Sequence, residues 1–224
     1  MRFLNAGDCA ITVEFGNEIS EEMNLYVKTF TDRFDRANLN GVLDLIPTYR
    51  SVLISFNPLK ISREEIKTFA ENVMSGFSPT AHEEQKEIVE IPVLYGGGMG
   101  PDLDFISDWT KLSPQEIIEK HSSVNYLIYM IGFTPGFPYL GGMPKELSAP
   151  RLNSPRKAIP AGSVGIAGAQ TGIYPVESPG GWRIIGRTPL KIFDYERENP
   201  FLLKAGQYLK FYPITEEEFY EKYL

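Results

Sequence analysis

The stretch that decides the fold runs from Gly132 to Leu190: GFTPGFPYLGGMPKELSAPRLNSPRKAIPAGSVGIAGAQTGIYPVESPGGWRIIGRTPL. It holds 11 of the chain's 20 glycines and 9 of its 17 prolines. In a helix interior glycine costs about 1 kcal/mol and proline about 3 kcal/mol relative to alanine, so long helices are excluded here. Short strands joined by tight loops remain, as in a β-barrel or sandwich. The stretch is not a low-complexity linker, because Ile159, Val164, Ile166, Val176, Trp182, Ile184 and Ile185 supply a core.

Immediately upstream the signals are regular. Ile88–Tyr95 reads as a strand, followed by the glycine-rich loop Gly96–Asp102 and two short helices. The second helix opens on Ser113-Pro114-Gln115-Glu116, a capping box with proline at the first helical position. Val124–Ile131 is a strongly apolar strand. Downstream, a strand near Gln207–Pro213 precedes a helix capped by Thr215 and Glu218. Residues 88–224 are therefore expected to form a mainly-β domain, a barrel or a sandwich.

Residues 1–80 read differently. Cys9–Phe15 is a short strand, and Ser20 caps a helix with Met23, Val27, Phe30 and Phe34 at three- and four-residue steps. Val42–Ile46 and Val52–Phe56 are strands around the turn Pro47–Arg50. Ser62 and Glu65 form a capping box for a helix with Ile66, Phe69, Ala70, Val73 and Phe77 on one face. This β-α-β-β-α order predicts a small α+β domain, a mostly antiparallel sheet with two helices on one side. The polar, aperiodic run Ser78–Glu87 is expected to be the linker, with His82 solvated within it.

The composition limits the function. A length of 224 residues suits two small domains, and 42% hydrophobic content argues against disorder. A net charge of -7 argues against nucleic-acid binding, which needs a basic face. Cys9 is the single cysteine, so no internal disulfide forms. Met1–Phe15 lacks the pattern of a signal peptide, and the apolar run Tyr126–Phe133 is too short to span a bilayer. A cytoplasmic protein with no membrane partner is expected.

Charge is unevenly placed. Gly132–Leu190 carries Lys145, Arg151, Arg156, Lys157, Arg183 and Arg187 against Glu146 and Glu177, a net +4 that leaves -11 for the rest. A basic, glycine-rich surface suits a small carboxylate or phosphate, since arginine offers paired donors and glycine admits backbone N–H groups. The same charges also serve as solvated loop residues. Arg156 and Lys157 lie on a loop braced by Pro155 and Pro160, which lowers the entropy lost on binding. Gln170, Thr171 and Tyr174 offer an amide, a hydroxyl and a phenol, either to orient a ligand or to satisfy backbone at a strand end. Phe133, Phe137 and Tyr139 lie on an aromatic loop that walls a pocket, meets a partner or plugs the barrel. His121, at a helix end, is open to a structural role or to proton transfer.

Complete catalytic sets are missing. Gly96–Gly100 is not followed by the Lys-Ser/Thr of a phosphate-binding loop, no Gly-x-Ser-x-Gly elbow occurs, and no metal-ligand spacing is present. The chain either contributes half a site or binds without chemistry.

Several runs together resemble one family. They are Ile91-Pro92-Val93, Tyr95-Gly96-Gly97, Gly100-Pro101-Asp102-Leu103, His121-Ser122-Ser123-Val124 and Gly132-Phe133. They continue through Pro135–Gly141, Pro150-Arg151, Pro155-Arg156, Pro160–Ile166, Gln170-Thr171-Gly172, Tyr174-Pro175, Ser178–Trp182, Ile185-Gly186 and Phe193-Asp194. Gly7-Asp8-Cys9-Ala10 and Ile46-Pro47 add a weaker match in the first domain. These runs resemble the carboxyltransferase C/D-type domain shared by the B subunit of 5-oxoprolinase, the first subunit of allophanate hydrolase and the Kip inhibitor of a sporulation histidine kinase.

The resemblance implies a cyclophilin-like second domain, without implying prolyl isomerase activity. It also implies a hetero-oligomer with a carboxyltransferase-like partner subunit and a third subunit. Such an assembly opens 5-oxoproline, a small carboxylate, to glutamate at the expense of ATP. ATP, with magnesium, would belong to the complex and not be held tightly by this chain alone. Under that reading Arg151, Arg156 and Lys157 bind the anion, Gln170, Thr171 and Tyr174 orient the ligand, and His121 transfers a proton. Phe133, Phe137, Tyr139 and Trp182 wall the pocket or face a partner. The alternatives that the resemblance leaves are a Kip-type chain that binds a histidine kinase and blocks its autophosphorylation, and an allophanate hydrolase subunit.

Overall fold

The structure, a computed structural model, describes residues 1–77 and 87–223. The expected linker, all but Glu87, and His82 lie outside the described residues. The chain divides into two compact units, Met1–Glu84 and Gln85–Leu224.

In the first unit, strands β1 (Arg2–Asn5), β2 (Ala10–Glu14), β3 (Val42–Pro47) and β4 (Ser51–Phe56) form an antiparallel sheet in the order β1-β2-β4-β3. Helices α1 (Glu21–Arg36) and α2 (Arg63–Met74) complete the unit. Ser20 accepts a hydrogen bond from the Met23 N–H, and Ser62 and Glu65 close the expected capping box. Val27, Phe30 and Phe34 of α1 pack with Ile66 and Ala70 of α2 and with Ile11, Val13, Val52 and Ile54 of the sheet. Each fully buried aliphatic or aromatic side chain contributes about 1.5–3 kcal/mol. Strand β1 departs from the expected order: it is an edge strand, mostly exposed, and lacks the apolar alternation that marks a half-buried strand.

In the second unit, strand β5 (Ile88–Tyr95) is followed by helices α3 (Leu103–Thr110) and α4 (Pro114–Ser122). Strands β6 (Asn125–Ile131), β7 (Pro138–Gly141), β8 (Arg156–Ile159), β9 (Ser163–Ala167) and β10 (Gln170–Ile173) come next. Then come β11 (Ser178–Gly180), β12 (Arg183–Arg187), β13 (Tyr208–Pro213) and helix α5 (Glu216–Tyr223). Seven strands form one mixed sheet in the order β10-β9-β12-β5-β13-β6-β7. Strands β5 and β13 pair in parallel, and the other pairings in this sheet are antiparallel. The two end strands, β10 and β7, face each other and nearly close the sheet into a barrel. A Cβ on Gly172 of β10 would lie 3.2 Å from the Pro138 carbonyl oxygen, so glycine lets the two end strands approach closely there. Strands β8 and β11 form a separate ribbon.

Strand β9 is buried at every position and serves two cores. Val164 and Ile166 join the barrel interior with Ile91, Val93, Ile128, Ile185 and Phe211. Ala167 joins a second cluster of Phe137, Ile159, Tyr174, Trp182 and Ile184.

Candidate functional site

The glycine loop between β5 and α3 fixes the site. Gly96 and Gly97 adopt φ of +72° and +52°, the left-handed region that other residues enter only with strain. The Gly96 N–H donates to the Ile185 carbonyl (3.0 Å) and the Asp102 N–H to the Ile184 carbonyl (2.9 Å). The loop therefore lies flat on β12, and a Cβ on Gly100 would lie only 2.1 Å from the Ile185 oxygen.

This pinning places the buried Asp102 carboxylate among three donors. Its Oδ2 accepts from the Ile184 N–H at 2.7 Å. Arg156 meets it with two nitrogens, Nη2 to Oδ1 and Nη1 to Oδ2, each at 2.9 Å. Arg183 approaches Oδ1 at 3.6 Å, and its guanidinium carbon lies 3.4 Å from the centre of the Phe105 ring. One carboxylate thus serves two guanidiniums, and the cluster keeps a unit of positive charge. Two-point pairing fixes the plane of the Arg156 guanidinium.

Beside the clamp is a pocket of about 80 Å³. Gly98, Arg156, Ser163 and Arg187 supply its polar wall, and Ile159 and Ile184 its apolar wall. Arg187 donates from Nε to the Ala161 carbonyl at 2.8 Å.

The second cluster is aromatic. Phe137 stands edge-on to Trp182 (5.5 Å between centres), Tyr174 (5.6 Å) and Tyr139 (5.3 Å). Burial pushes both tyrosine phenols up, while the Arg151 guanidinium pulls them back. Arg151 is exposed and sits electrostatically against both phenols. Phe133 is different: it is 67% exposed and has φ of +65°. The Thr134 N–H donates to the Gly132 carbonyl across it at 2.8 Å, a strained γ-turn that presents the ring to solvent.

The expected site residues thus separate. Arg156, Tyr174 and Trp182 come together, with Arg151 against Tyr174 and Tyr139. Lys157 is exposed and Gln170 half-buried. Trp182 and Phe137 are core residues of the aromatic cluster.

Three of the expected residues lie in the interior. His121 is fully buried in the barrel, 4.5 Å from the stacked Phe211 ring. Its Nδ1 lies 2.8 Å from the Tyr95 hydroxyl and its Nε2 2.8 Å from Thr171 Oγ1. The Thr171 hydroxyl donates to the Gly165 carbonyl (3.0 Å), so it accepts from Nε2–H, and Nδ1 accepts from Tyr95 O–H. Burial lowers the His121 pKa from 6.5 to about 3 and pushes Tyr95 well up, so both are neutral. Of the two roles open to His121, the geometry supplies the structural one. Thr171 is closed to a ligand because its hydrogen bonds lie within this chain of contacts. Tyr174 is likewise buried, with a hydrogen bond from the Trp182 backbone.

Sequence reasoning gave Asp102 and Ser163 no site role, and it counted Arg187 only among the basic residues of the stretch. Among the described residues, no group of three or more His, Cys, Asp or Glu is placed to hold a metal ion. No described helix is long and apolar enough to cross a membrane.

A small α+β unit followed by a nearly closed mixed barrel is the architecture of a carboxyltransferase-type subunit. The chain belongs to the family described as carboxyltransferase domain, subdomain C and D, whose model matches residues 1–203. It is 41% identical to the B subunit of 5-oxoprolinase from Bacillus subtilis, over 96% of this chain and 93% of that protein. The same subunit from Escherichia coli O157:H7 is 37% identical over 94% of each chain. Urea amidolyase of Saccharomyces cerevisiae is a distant relative, 24% identical over 96% of this chain and 13% of its own length. The crystal structure of TTHA0988 superposes with a TM-score of 0.81 at 34% identity. It covers 92% of this chain, which spans 40% of that longer one.

Proposed function

We propose that this chain is the B subunit of a 5-oxoprolinase and acts in a complex with partner subunits. The near-full-length likeness to the B subunits of known 5-oxoprolinases carries the reading. The geometry supports it in two ways. The exposed Arg151 and the half-buried Arg156, both close to Tyr174, supply positive charge that suits the carboxylate of 5-oxoproline. His121 is buried and hydrogen-bonded on both ring nitrogens, which fits a site whose reacting groups are completed by a partner.

In the reaction the ring C–N bond breaks, the carbonyl carbon gains the oxygen of water, and the nitrogen leaves as the amino group of glutamate. The part of this chain is to bind and orient the substrate. ATP drives the opening, and two of the cavities among the described residues suit a nucleotide poorly. One is the 80 Å³ pocket, which is too small. The other, about 410 Å³ in the first unit, is lined by Glu22 and Glu71, which repel a triphosphate. We assign the nucleotide and its magnesium to the complex and not to tight binding by this chain alone. The exposed Phe133 is a fitting anchor for such a partner, as aromatic rings dominate interface energetics.

The test is to purify the chain with its co-encoded partners and to omit each component in turn. ADP and glutamate release that requires both 5-oxoproline and this chain supports the reading. Equal turnover without this chain overturns it.

A further inference from the structure

The pocket between the glycine loop and the turn from β8 to β9 has features that packing does not explain. Arg187 lines it half-buried, with Nε held by the Ala161 carbonyl at 2.8 Å. No carboxylate lies within ion-pair distance of Arg187 among the described residues. The chain segment that holds it is itself pinned. Gly162, at φ +82°, donates to the Tyr174 carbonyl (2.7 Å) and accepts from the Thr188 N–H (2.9 Å). The guanidinium is thus anchored at Nε, with its terminal nitrogens unmatched by any acid.

Three complementary groups line the same pocket. Arg156 is held in plane by Asp102 and brings a second guanidinium to the wall. Ser163 adds a hydroxyl from the start of β9. Gly98 lines the pocket as well, and neither of the usual reasons for glycine applies to it. Its φ is not positive, and a Cβ there would meet nothing within 4 Å. A larger side chain at Gly98 would extend into open space beside the pocket that Gly98 lines. A volume of 80 Å³ has room for about three to five water-sized atoms, the size of a carboxylate or phosphoryl group and far below a nucleotide.

We propose that this pocket is a binding site for a small oxyanion, held by the guanidiniums of Arg187 and Arg156, the Ser163 hydroxyl and the open backbone at Gly98. Arg187 is its principal ligand and Asp102 a positioning residue that fixes Arg156. The inference stands on the pocket geometry and does not depend on the reaction assigned above. A carboxylate of substrate or product and a phosphoryl group share this chemistry, and the probes below separate them.

The test titrates the purified full chain with inorganic phosphate, 5-oxoproline and glutamate separately. Calorimetry gives affinity, and backbone amide and arginine Nε NMR signals give location. Saturable binding of at least one probe is expected, with shifts at Gly97, Gly98 and Arg187. Arg187→Gln should weaken it about tenfold or more, as expected for loss of charge-assisted hydrogen bonds. Gly98→Val, at a position with no conformational or packing demand, should keep the melting temperature and narrow the pocket, with a comparable loss. It decides the matter if Arg187→Gln does not fold. Phosphate binding alone identifies a phosphoryl site, and binding of either amino-acid carboxylate identifies a carboxylate site. Absence of saturable binding by the folded chain, shifts confined elsewhere, or unchanged affinity in the folded variants would overturn the proposal. Each of these results is independent of turnover by the complex.

Discussion

Asp102→Ala removes the carboxylate that faces both Arg156 and Arg183. The change strips Arg156 of a two-point pair with both contacts at 2.9 Å. It also orphans the Ile184 N–H, which donates at 2.7 Å in a buried position. Removing one partner of a buried ion pair costs about 3–5 kcal/mol, and an unsatisfied buried amide about 1–3 kcal/mol. The Arg156 side chain is 32% exposed and can turn to water, which favours the low end of that range. The expected cost is about 3 kcal/mol, or a melting point lower by roughly 10 °C for a unit of this size. The chain's two tryptophans, Trp109 and Trp182, both lie in the second unit, so urea unfolding followed by tryptophan fluorescence reports on that unit alone. A double-mutant cycle with Arg156→Met should give a coupling of about 1 kcal/mol or more. A cost below about 0.5 kcal/mol for Asp102→Ala would refute the clamp as a structural element.

Other perturbations probe the core, the glycine loop and the exposed aromatic ring. His121 has an unfolded pKa of 6.5 and a folded one of about 3, so the unfolded chain binds the extra proton. Stability is complete above pH 6.5 and falls between there and pH 3 by about 1.4 kcal/mol per unit. Urea melts of wild type and His121→Asn across that window should differ in slope, and parallel slopes would contradict the buried neutral histidine. Gly100→Ala drives a Cβ into the Ile185 carbonyl and should cost about 3 kcal/mol or more, whereas Gly98→Ala, in open space, should stay within about 0.5 kcal/mol. Thermal melts of the two variants make that comparison. Phe133→Gly relieves a left-handed φ and loses little buried area, so the free chain should keep or gain about 1 kcal/mol while capture of the partner subunit weakens. A pull-down alongside the melt separates the two effects.

Local order was legible in the sequence wherever it depends on neighbours. The capping boxes at Ser62 and Ser113 and the apolar steps of α1 form as their spacing predicts. The glycine- and proline-rich stretch becomes short strands around a barrel, because neither residue supports a long helix. What the spacing did not show is long-range pairing. Asp102 finds Arg156 54 positions away and the Ile184 amide 82 away, and His121 finds Thr171 50 away. Those distances span several strands whose register only the closed barrel fixes. His121 illustrates the consequence. Its place at the end of α4 left a structural role and proton transfer both open, and only the tertiary fold shows it turned inward against Phe211. Arg156 bears a charge that composition counted as available, yet much of it answers Asp102. Arg187, counted with the same cations, carries no such partner among the described residues. Edge strand β1 escaped for a simpler reason, since an exposed strand has no buried face to impose alternation.

The most direct measurement of the central claim is ATP hydrolysis by the reconstituted complex, with glutamate followed in parallel. ADP and glutamate are predicted in equal amounts only when 5-oxoproline and this chain are both present, and neither is predicted from the chain alone. Substrate-independent ATP hydrolysis, or no glutamate from a verified complex, would contradict the claim.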